Sequence, residues 1–509
     1  MNQKGNMKLL KQSFVFIVLT IGAGFAISSC KKDTVPGFPG TDNSKRPNII
    51  VLTVDTLRAD HMALYGYHRD TMPAIGAFAE TAVVFDQAVV SRGNTRASYA
   101  SMLTALYPFR HGIYNNNVVL HDNFKTLPEI LKSAGYHTAG FVSNFVLVGE
   151  LSGCDQGFDI YDDRTEDREI NRPNYERSAA GTLKAILEWL ETDPPQPFFL
   201  FTNFIDPHGP YLPPEKFRNM YKSGKKKMLD QKKIFSYQRV NDSLNYYDYV
   251  DRYDGEIRYV DEAMGQLIEA LKSKGLWDDA LVIFLSDHGE SLGEHGVFFE
   301  HQYFVFEETA RVPLAIRLPR DKQGNTAVPP GRVPSLGSPM DLMPTILDYL
   351  DISFKGKLDG QSLLPVLNGT ADSDRTVFLE FPEDSIPSQR IPASFAVRSA
   401  THKLIRVFQA DTRRLMGQML FDITADPLEQ RPIRYDENVK LHRRLSKEMD
   451  TMLKKVAEYE IPFPLTFYDV PLDKRTEFVE KRKEKGPKRI KKQLSDEQIE
   501  KLRSLGYVK

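Results

Sequence analysis

Between residues 287 and 301 the chain carries Asp287-His288-Gly289-Glu290, Glu294-His295 and Glu300-His301. Only 11 histidines occur in 509 residues, so three of them alternating with acids in one short stretch suit a divalent cation. An adjacent Asp and His offer one oxygen and one imidazole nitrogen to the same ion. Alone, Asp-His-Gly is equally a strand-end turn. A further histidine, His208, lies two residues after Asp206 in DPHGPY, where Pro207 and Pro210 stiffen the turn. The stretch SRGNTRASYASMLTALYP, residues 91–108, supplies hydroxyls and no cysteine. A hydroxyl activated by a metal is a nucleophile for ester cleavage.

These residues are far apart in sequence and need a scaffold. NIIVLTV stops at Asp55, PFFLFTNFI at Asp206 and ALVIFLS at Asp287. Short apolar, β-branched runs of this kind predict buried strands of a largely parallel sheet. LKAILEWLET and YVDEAMGQLIEALKSKG predict helices between them. Ligands of such sheets gather at the carboxyl ends of the strands. Three strand-end aspartates therefore predict one shared site rather than three helix caps.

The expected fold is α/β, with a mixed, mainly parallel central sheet flanked by helices over residues 47–355. TVFLEF, SFAVRS and HKLIRVF predict a small antiparallel C-terminal α+β subdomain over 356–435, followed by a charged helical tail over 436–509. Residues 213–251, rich in Lys and Tyr, read as an insertion or lid beside the site.

The 41% apolar content and formal net charge of -1 describe a packed globule. They give no electrostatic case for a nucleic-acid partner. Lys4, Lys8 and Lys11 precede the apolar run SFVFIVLTIGAGFAI, which is short for a membrane span and has the layout of a secretory leader. Ile27-Ser28-Ser29-Cys30 resembles a bacterial lipobox. Residues 1–30 are thus expected to be a lipoprotein signal, with Cys30 lipidated, and residues 31–46 a tether. The protein is expected to be exported and membrane-anchored, facing the periplasm or the cell surface. The second cysteine, Cys154, is then left without an internal partner and reads as structural.

Taken in order, RPNIIVLTVDTLRADHMALYGYHRDTMP, SYASMLTALYPFRHGI, DPHGPYLPP, LSDHGESLGEHG and EETARVPL resemble the sulfatase-type branch of the alkaline phosphatase superfamily. DLMPTILDYL, LDGQSLLPVLNG and FDITADPLEQ extend the resemblance from Arg46 to about Pro432. It implies an α/β sandwich with a smaller C-terminal subdomain, and metal-assisted displacement at a sulfate or phosphate ester.

Formylglycine sulfatases carry C/S-x-P-x-R-A-S-L-L-T-G-x-Y-P. Anchored on Thr104, Tyr107 and Pro108 of SMLTALYP, the comparison puts Thr95 at the nucleophile position, Ala97 at the proline and Tyr99 at the arginine. Threonine cannot become formylglycine, so that cofactor is not expected. The pattern T-x-P-S-H-A-S of threonine-nucleophile transferases and phosphodiesterases matches at Thr95, Ser98 and Ser101 and departs at Ala97 and Tyr99. A register using Arg96 would put Arg92 at the nucleophile position, which is chemically useless. Ser91 is a remote third candidate, and Thr95 has a competing use as a helix cap.

Other departures exist. Thr56 replaces the second of two aspartates, Val142-Ser143-Asn144-Phe145 replaces G-K-W-H, and His301 stands where a lysine is usual. The resemblance thus implies one divalent metal ion (Zn, Mn, Ca or Mg) held by Asp55, Thr95, Asp287 and His288. Thr95, His208 and His301 are the implied catalytic residues, with Asn144 and Arg58 as substrate contacts and Arg58 also suited to a structural ion pair. The implied substrate is a small-molecule, glycan or lipid-linked phosphate or sulfate ester. Phosphorus is put ahead because sulfate-gripping cations are missing. A sulfuric-ester hydrolase without formylglycine, and a degenerate binding protein of the same fold, stay open.

Overall fold

Every residue of the first strand, Ile49–Val54 (β1), is buried, which requires both faces of its sheet to be covered. The computed structural model describes residues 46–459, apart from 169–174, 241–242, 302, 321–323, 325, 371–374, 382–392 and 410–413. The expected leader with Cys30, the tether up to residue 45 and the tail beyond Tyr459 lie outside the described residues.

β1 belongs to an eight-stranded sheet with Val83–Ala88 (β2), His137–Phe141 (β3), Ile160–Asp162 (β4), Phe198–Phe204 (β5), Leu281–Ser286 (β6), Leu314–Arg317 (β7) and Gly331–Gly337 (β8). The order is β8-β2-β7-β6-β1-β5-β3-β4. β7 alone runs antiparallel to its neighbours β2 and β6. The three strands expected to carry aspartates, β6, β1 and β5, lie side by side and parallel. Val54 is in register with both Ser286 and Phe204. Asp55 and Asp287 therefore leave the sheet at one height, while Asp206 comes a residue later.

Alternation along β1 decides which helix sees which side chain. Ile50, Leu52 and Val54 join a core with Leu183 and Ile186 of Ala179–Leu190 and with Ile257, Val260 and Leu267 of Tyr246–Ser273. Thr53 faces the other way, toward the helix Thr95–Thr104. We label Thr95–Thr104 α1, Ala179–Leu190 α2, Tyr246–Ser273 α3, Leu342–Tyr349 α4 and Val439–Glu458 α5. α2 packs on α3, and α4 on α1.

α3 starts at Tyr246, thirteen residues before its readable pattern at Tyr259. Its first turns bury polar groups that spoil an apolar period. Asp254 accepts from Tyr67 Oη at 2.7 Å and from Arg69 at 2.5 Å, and lies 2.7 Å from His61 Nδ1. Gly255 sits mid-helix because a β-carbon there would come 2.9 Å from the Phe217 carbonyl oxygen.

The C-terminal sheet is antiparallel, in the order Val377–Phe381 (β9), Ala393–Arg398 (β10), His402–Phe408 (β11) and Leu415–Asp422 (β12). α5 packs on β10 and β11. Buried ion pairs tie this sheet to the EETARVPL turn: Glu307 lies 3.1 Å from both Arg398 and Lys403, and Lys403 lies 3.0 Å from Glu429. Burial works to raise the Glu307 carboxyl, but Arg398 and Lys403 outweigh it and take it down to about 2. Cys154 is buried and free, and burial pushes its thiol up to about 11. Among the described residues no helix is long and apolar enough to cross a membrane.

Candidate active site

The ends of β1 and β6 bring Asp55, Asp287 and His288 together, all fully buried. One donor atom from each lies within 4.8 Å of the other two. Each carboxylate is held by one oxygen and offers the other. Asp287 Oδ1 accepts from the backbone N–H groups of Thr56 at 3.2 Å and His288 at 2.8 Å. Asp55 Oδ2 accepts from Asn144 Nδ2 at 2.6 Å. The free oxygens, Asp55 Oδ1 and Asp287 Oδ2, are buried without a hydrogen-bond partner. They lie 3.7 and 3.4 Å from His288 Nε2. His288 Nδ1 sits 2.9 Å from the Gly289 carbonyl oxygen, so it carries the proton and leaves Nε2 as a lone-pair donor.

Buried carboxylate oxygens without donors are costly unless a cation meets them. Burial, and for Asp55 next the charge of Asp287, holds both carboxyls well above the usual carboxylate range. Burial and then neighbouring His301 push the His288 imidazole down to about 4, so it is neutral at physiological pH. Two oxygens and one neutral imidazole nitrogen, converging and unsatisfied, fit a divalent ion.

Thr95 is the first residue of α1, and its Oγ1 lies 3.2 Å from His288 Nε2. Helix capping does not occupy it. Asn94 is the cap, its Oδ1 accepting from the Ala97 N–H at 3.3 Å. The hydroxyl therefore faces the cluster from the positive end of a ten-residue helix. Ser98 Oγ donates to the Asp287 carbonyl at 2.7 Å, and Ser101 Oγ lies 3.0 Å from His111 Nε2. Tyr99 turns to the sheet instead. Its hydroxyl accepts from Asn203 Nδ2 at 2.8 Å and hydrogen-bonds Thr53.

Two more histidines extend the cluster. The rings of His288 and His301 are 4.5 Å apart, and those of His301 and His208 are 5.2 Å apart. His301 Nδ1 lies 3.1 Å from Glu290 Oε1, while Glu290 Oε2 accepts from Tyr211 Oη at 3.1 Å. Of the histidines in residues 287–301, His288 and His301 thus join His208 in one imidazole row with buried Glu290 behind it, while His295 turns away to Glu308 at 2.8 Å.

Three residues singled out from sequence turn to structural partners. Asp206 leaves the shared site: its Oδ2 accepts from the Ala179 N–H at 2.9 Å, at the start of α2, because it emerges a residue beyond the register of Asp55 and Asp287. Arg58, expected either as a substrate contact or in a structural ion pair, takes the ion pair: it directs Nε and Nη2 to Asp60 at 2.9 and 2.7 Å, and Nη1 to Glu294 at 2.8 Å and the Glu290 carbonyl at 3.0 Å. Its guanidinium is spent on fixing the turn after β6. Asn144, also expected to touch substrate, holds Asp55 and is itself held by Asn203 Oδ1, which accepts from its backbone N–H at 3.2 Å.

Tyr211 and Asn203 were not singled out from sequence, Tyr99 stood out only as a departure from the family patterns, and Glu290 was given no role. Asn203 carried one legible signal, a polar residue inside the apolar run PFFLFTNFI. Thr56 has a left-handed backbone, φ 54°, costly for a β-branched residue and usual only where surroundings enforce it. Gly289 is required for close approach: a β-carbon there would lie 2.2 Å from the Glu308 carbonyl oxygen.

Known proteins resemble this chain in sequence and in fold. Residues 47–352 match the family model described as Sulfatase, and residues 293–458 match that of N-sulphoglucosamine sulphohydrolase, C-terminal. A choline-sulfatase of Rhizobium meliloti (strain 1021) is 27% identical over 438 residues, 75% of this chain and 81% of its own. An N-acetylglucosamine-6-O-sulfatase of Bacteroides thetaiotaomicron is 24% identical over 499 residues, covering 81% and 86%. The structure of a phosphonate monoester hydrolase of Agrobacterium radiobacter shares the fold at a TM-score of 0.65 and 21% identity, over 81% of this chain and 96% of that one.

Proposed function

The chain belongs to the sulfatase family of the alkaline phosphatase superfamily, and from that premise we propose that this hydrolase cleaves sulfate esters with Thr95 as its nucleophile. One observation carries the proposal: Thr95 Oγ1 lies 3.2 Å from His288 Nε2, beside two buried carboxylate oxygens that no protein donor meets. The missing sulfate-gripping cations had put phosphorus ahead. The sulfatase family model and the names of the choline- and N-acetylglucosamine-6-O-sulfatase relatives support sulfur instead.

Asp55 Oδ1, Asp287 Oδ2 and His288 Nε2 would hold a divalent ion. When bound, that ion supplies Lewis-acid charge that acidifies a hydroxyl and neutralises anionic oxygens. Thr95 Oγ1 loses its proton to solvent and attacks sulfur opposite the leaving oxygen; the Oγ–S bond forms as the bond from sulfur to the leaving oxygen breaks. The N-terminal end of α1 stabilises negative charge at that point. His301, oriented by Glu290, and His208 beside it are placed to hand a proton to the departing alcohol. Water then cleaves the threonine sulfate and regenerates the hydroxyl. By its Cys30 pattern, the enzyme does this as a lipid-anchored protein outside the cytoplasm. Labelling with a radioactive fatty acid, lost in Cys30→Ser, tests that anchor.

The decisive test pairs substrates with a trapped intermediate. Wild-type protein with 4-nitrophenyl sulfate, quenched in turnover, should show one sulfuryl group on the peptide containing Thr95, absent in Thr95→Ala. Faster turnover of phosphate or phosphonate esters than of sulfate would return the reading to phosphorus. Turnover of none, with no metal bound, would leave a binding protein.

A further inference from the structure

We propose that the segment 222–239 is a binding track for a polyanionic chain, a polymer bearing repeated sulfate groups, that leads to the candidate active site. The proposal rests on reading that site as a sulfate-ester hydrolase and narrows its substrate to a polymer.

Residues 222–233 hold Lys222, Lys225, Lys226, Lys227, Lys232 and Lys233 against one acid, Asp230, in a chain whose net charge is -1. All six lysines are exposed. Among the described residues none of them is ion-paired to a carboxylate, whereas Lys216 and Lys125 have Glu262 and Glu129. A solvated face normally mixes both signs. This one concentrates a single sign, and a local field of this kind gathers a multivalent anion.

The strip is also built. The Tyr246 N–H donates to the Lys227 carbonyl and the Leu229 N–H to the Leu244 carbonyl, both at 2.8 Å. Asn245 Oδ1 accepts from the Lys227 N–H at 2.9 Å, and its Nδ2 donates to the Lys225 carbonyl at 3.0 Å. The ammonium groups thus project from backbone pinned to the start of α3. Half-buried aromatic rings sit beside them: Lys227 Nζ is 4.5 Å from the Tyr246 ring centre and Lys225 Nζ 5.7 Å from that of Tyr247. Cations beside aromatic faces suit sugar rings carrying sulfates better than a lipid headgroup, which needs charge alone.

The far end of the segment reaches the catalytic histidines twice. Phe235 stacks on Tyr303, two residues from His301, at 6.2 Å. Gln238 is fully buried against Gly209, the residue after His208; a β-carbon on Gly209 would fall 1.8 Å from Gln238 Oε1. The glycine is what lets the segment seat on that turn. A polymer lying along the lysines therefore runs toward His208 and His301.

The test uses the full chain with dextran sulfate as the binding probe. Thr95→Ala protein should bind it with an affinity that falls as salt rises. Adding K225E, K226E and K227E should weaken binding by about tenfold or more, with circular dichroism and melting unchanged. In the Thr95 background the same triple change should raise KM on a sulfated polysaccharide while kcat/KM on 4-nitrophenyl sulfate stays within about twofold. Equal binding by the triple variant, an equal loss on both substrates, or tighter binding of phosphatidylglycerol vesicles or single-stranded DNA than of dextran sulfate would overturn the proposal. Binding needs no turnover, so an enzyme that hydrolyses no ester would refute the catalytic reading and leave the track separately readable.

Discussion

Asn144 Nδ2 donates to Asp55 Oδ2 at 2.6 Å, which turns Asp55 Oδ1 toward Asp287 and His288. The hydrogen bond selects which oxygen is free, and a partner of this kind commonly sets metal affinity. Asn144→Ala should lower divalent-metal affinity by about 10- to 100-fold, measured by isothermal titration calorimetry. Unchanged affinity would mean that Asp55 is oriented by its strand alone.

The division of labour at the start of α1 can be read in stability against activity. Asn94→Ala removes the cap and should cost about 1 kcal/mol of unfolding free energy. Thr95→Ala should leave stability within about 0.5 kcal/mol yet reduce turnover by roughly a thousandfold or more. Thr95→Ser should recover much of the rate. A Thr95→Ala protein that melts like Asn94→Ala but still turns over would make Thr95 structural.

Metal removal should destabilise the fold. Asp55 and Asp287 carry carboxyls held above their ordinary range by burial, so binding a divalent ion must displace protons. Chelation is expected to lower Tm. Zinc or manganese should restore it by mass action, with protons released on binding and affinity rising with pH. A Tm indifferent to chelator contradicts this.

Glu380, on β9, gives a pH dependence away from the site. Burial raises its carboxyl to about 8, against the pull of Arg92, while Oε1 accepts from the Phe109 N–H at 3.1 Å. The folded value lies above the unfolded one, so the stabilisation is complete below about 4.5 and is lost as pH rises to about 8. The loss should be about 3–5 kcal/mol. Glu380→Gln keeps the acceptor and should flatten denaturant midpoints between pH 5 and pH 8; a slope equal to wild type would refute the assignment.

Arg398→Met should cost about 3–5 kcal/mol, because it strips one of two cations from buried Glu307. If guanidinium unfolding shows a smaller loss, the link between the C-terminal sheet and the EETARVPL turn is not held by charge.

Strand and helix identities were legible because they depend on local periodicity. NIIVLTV, PFFLFTNFI and ALVIFLS became the adjacent β1, β5 and β6. The start of α3 was not legible, since Asp251, Asp254 and Glu256 are buried in its first turns and only distant partners make that tolerable. In the site, Asp55, Asp287, His288 and Thr95 were nameable from chain motifs, but Glu290 behind His301 was hidden, because nothing local marks a carboxylate as buried.

By itself the sequence determined the α/β class, the strand-end acids and the hydroxyl at the head of α1, through the periods of apolar residues and the order of short motifs. Only the tertiary structure decided that Asp55 and Asp287 share a site while Asp206 turns to α2, that Asn94 rather than Thr95 caps α1, and that Arg58 is consumed by Asp60 and Glu294. The physical reason is register: strands hydrogen-bonded side by side fix the height at which each side chain leaves the sheet, and that pairing joins residues hundreds of positions apart.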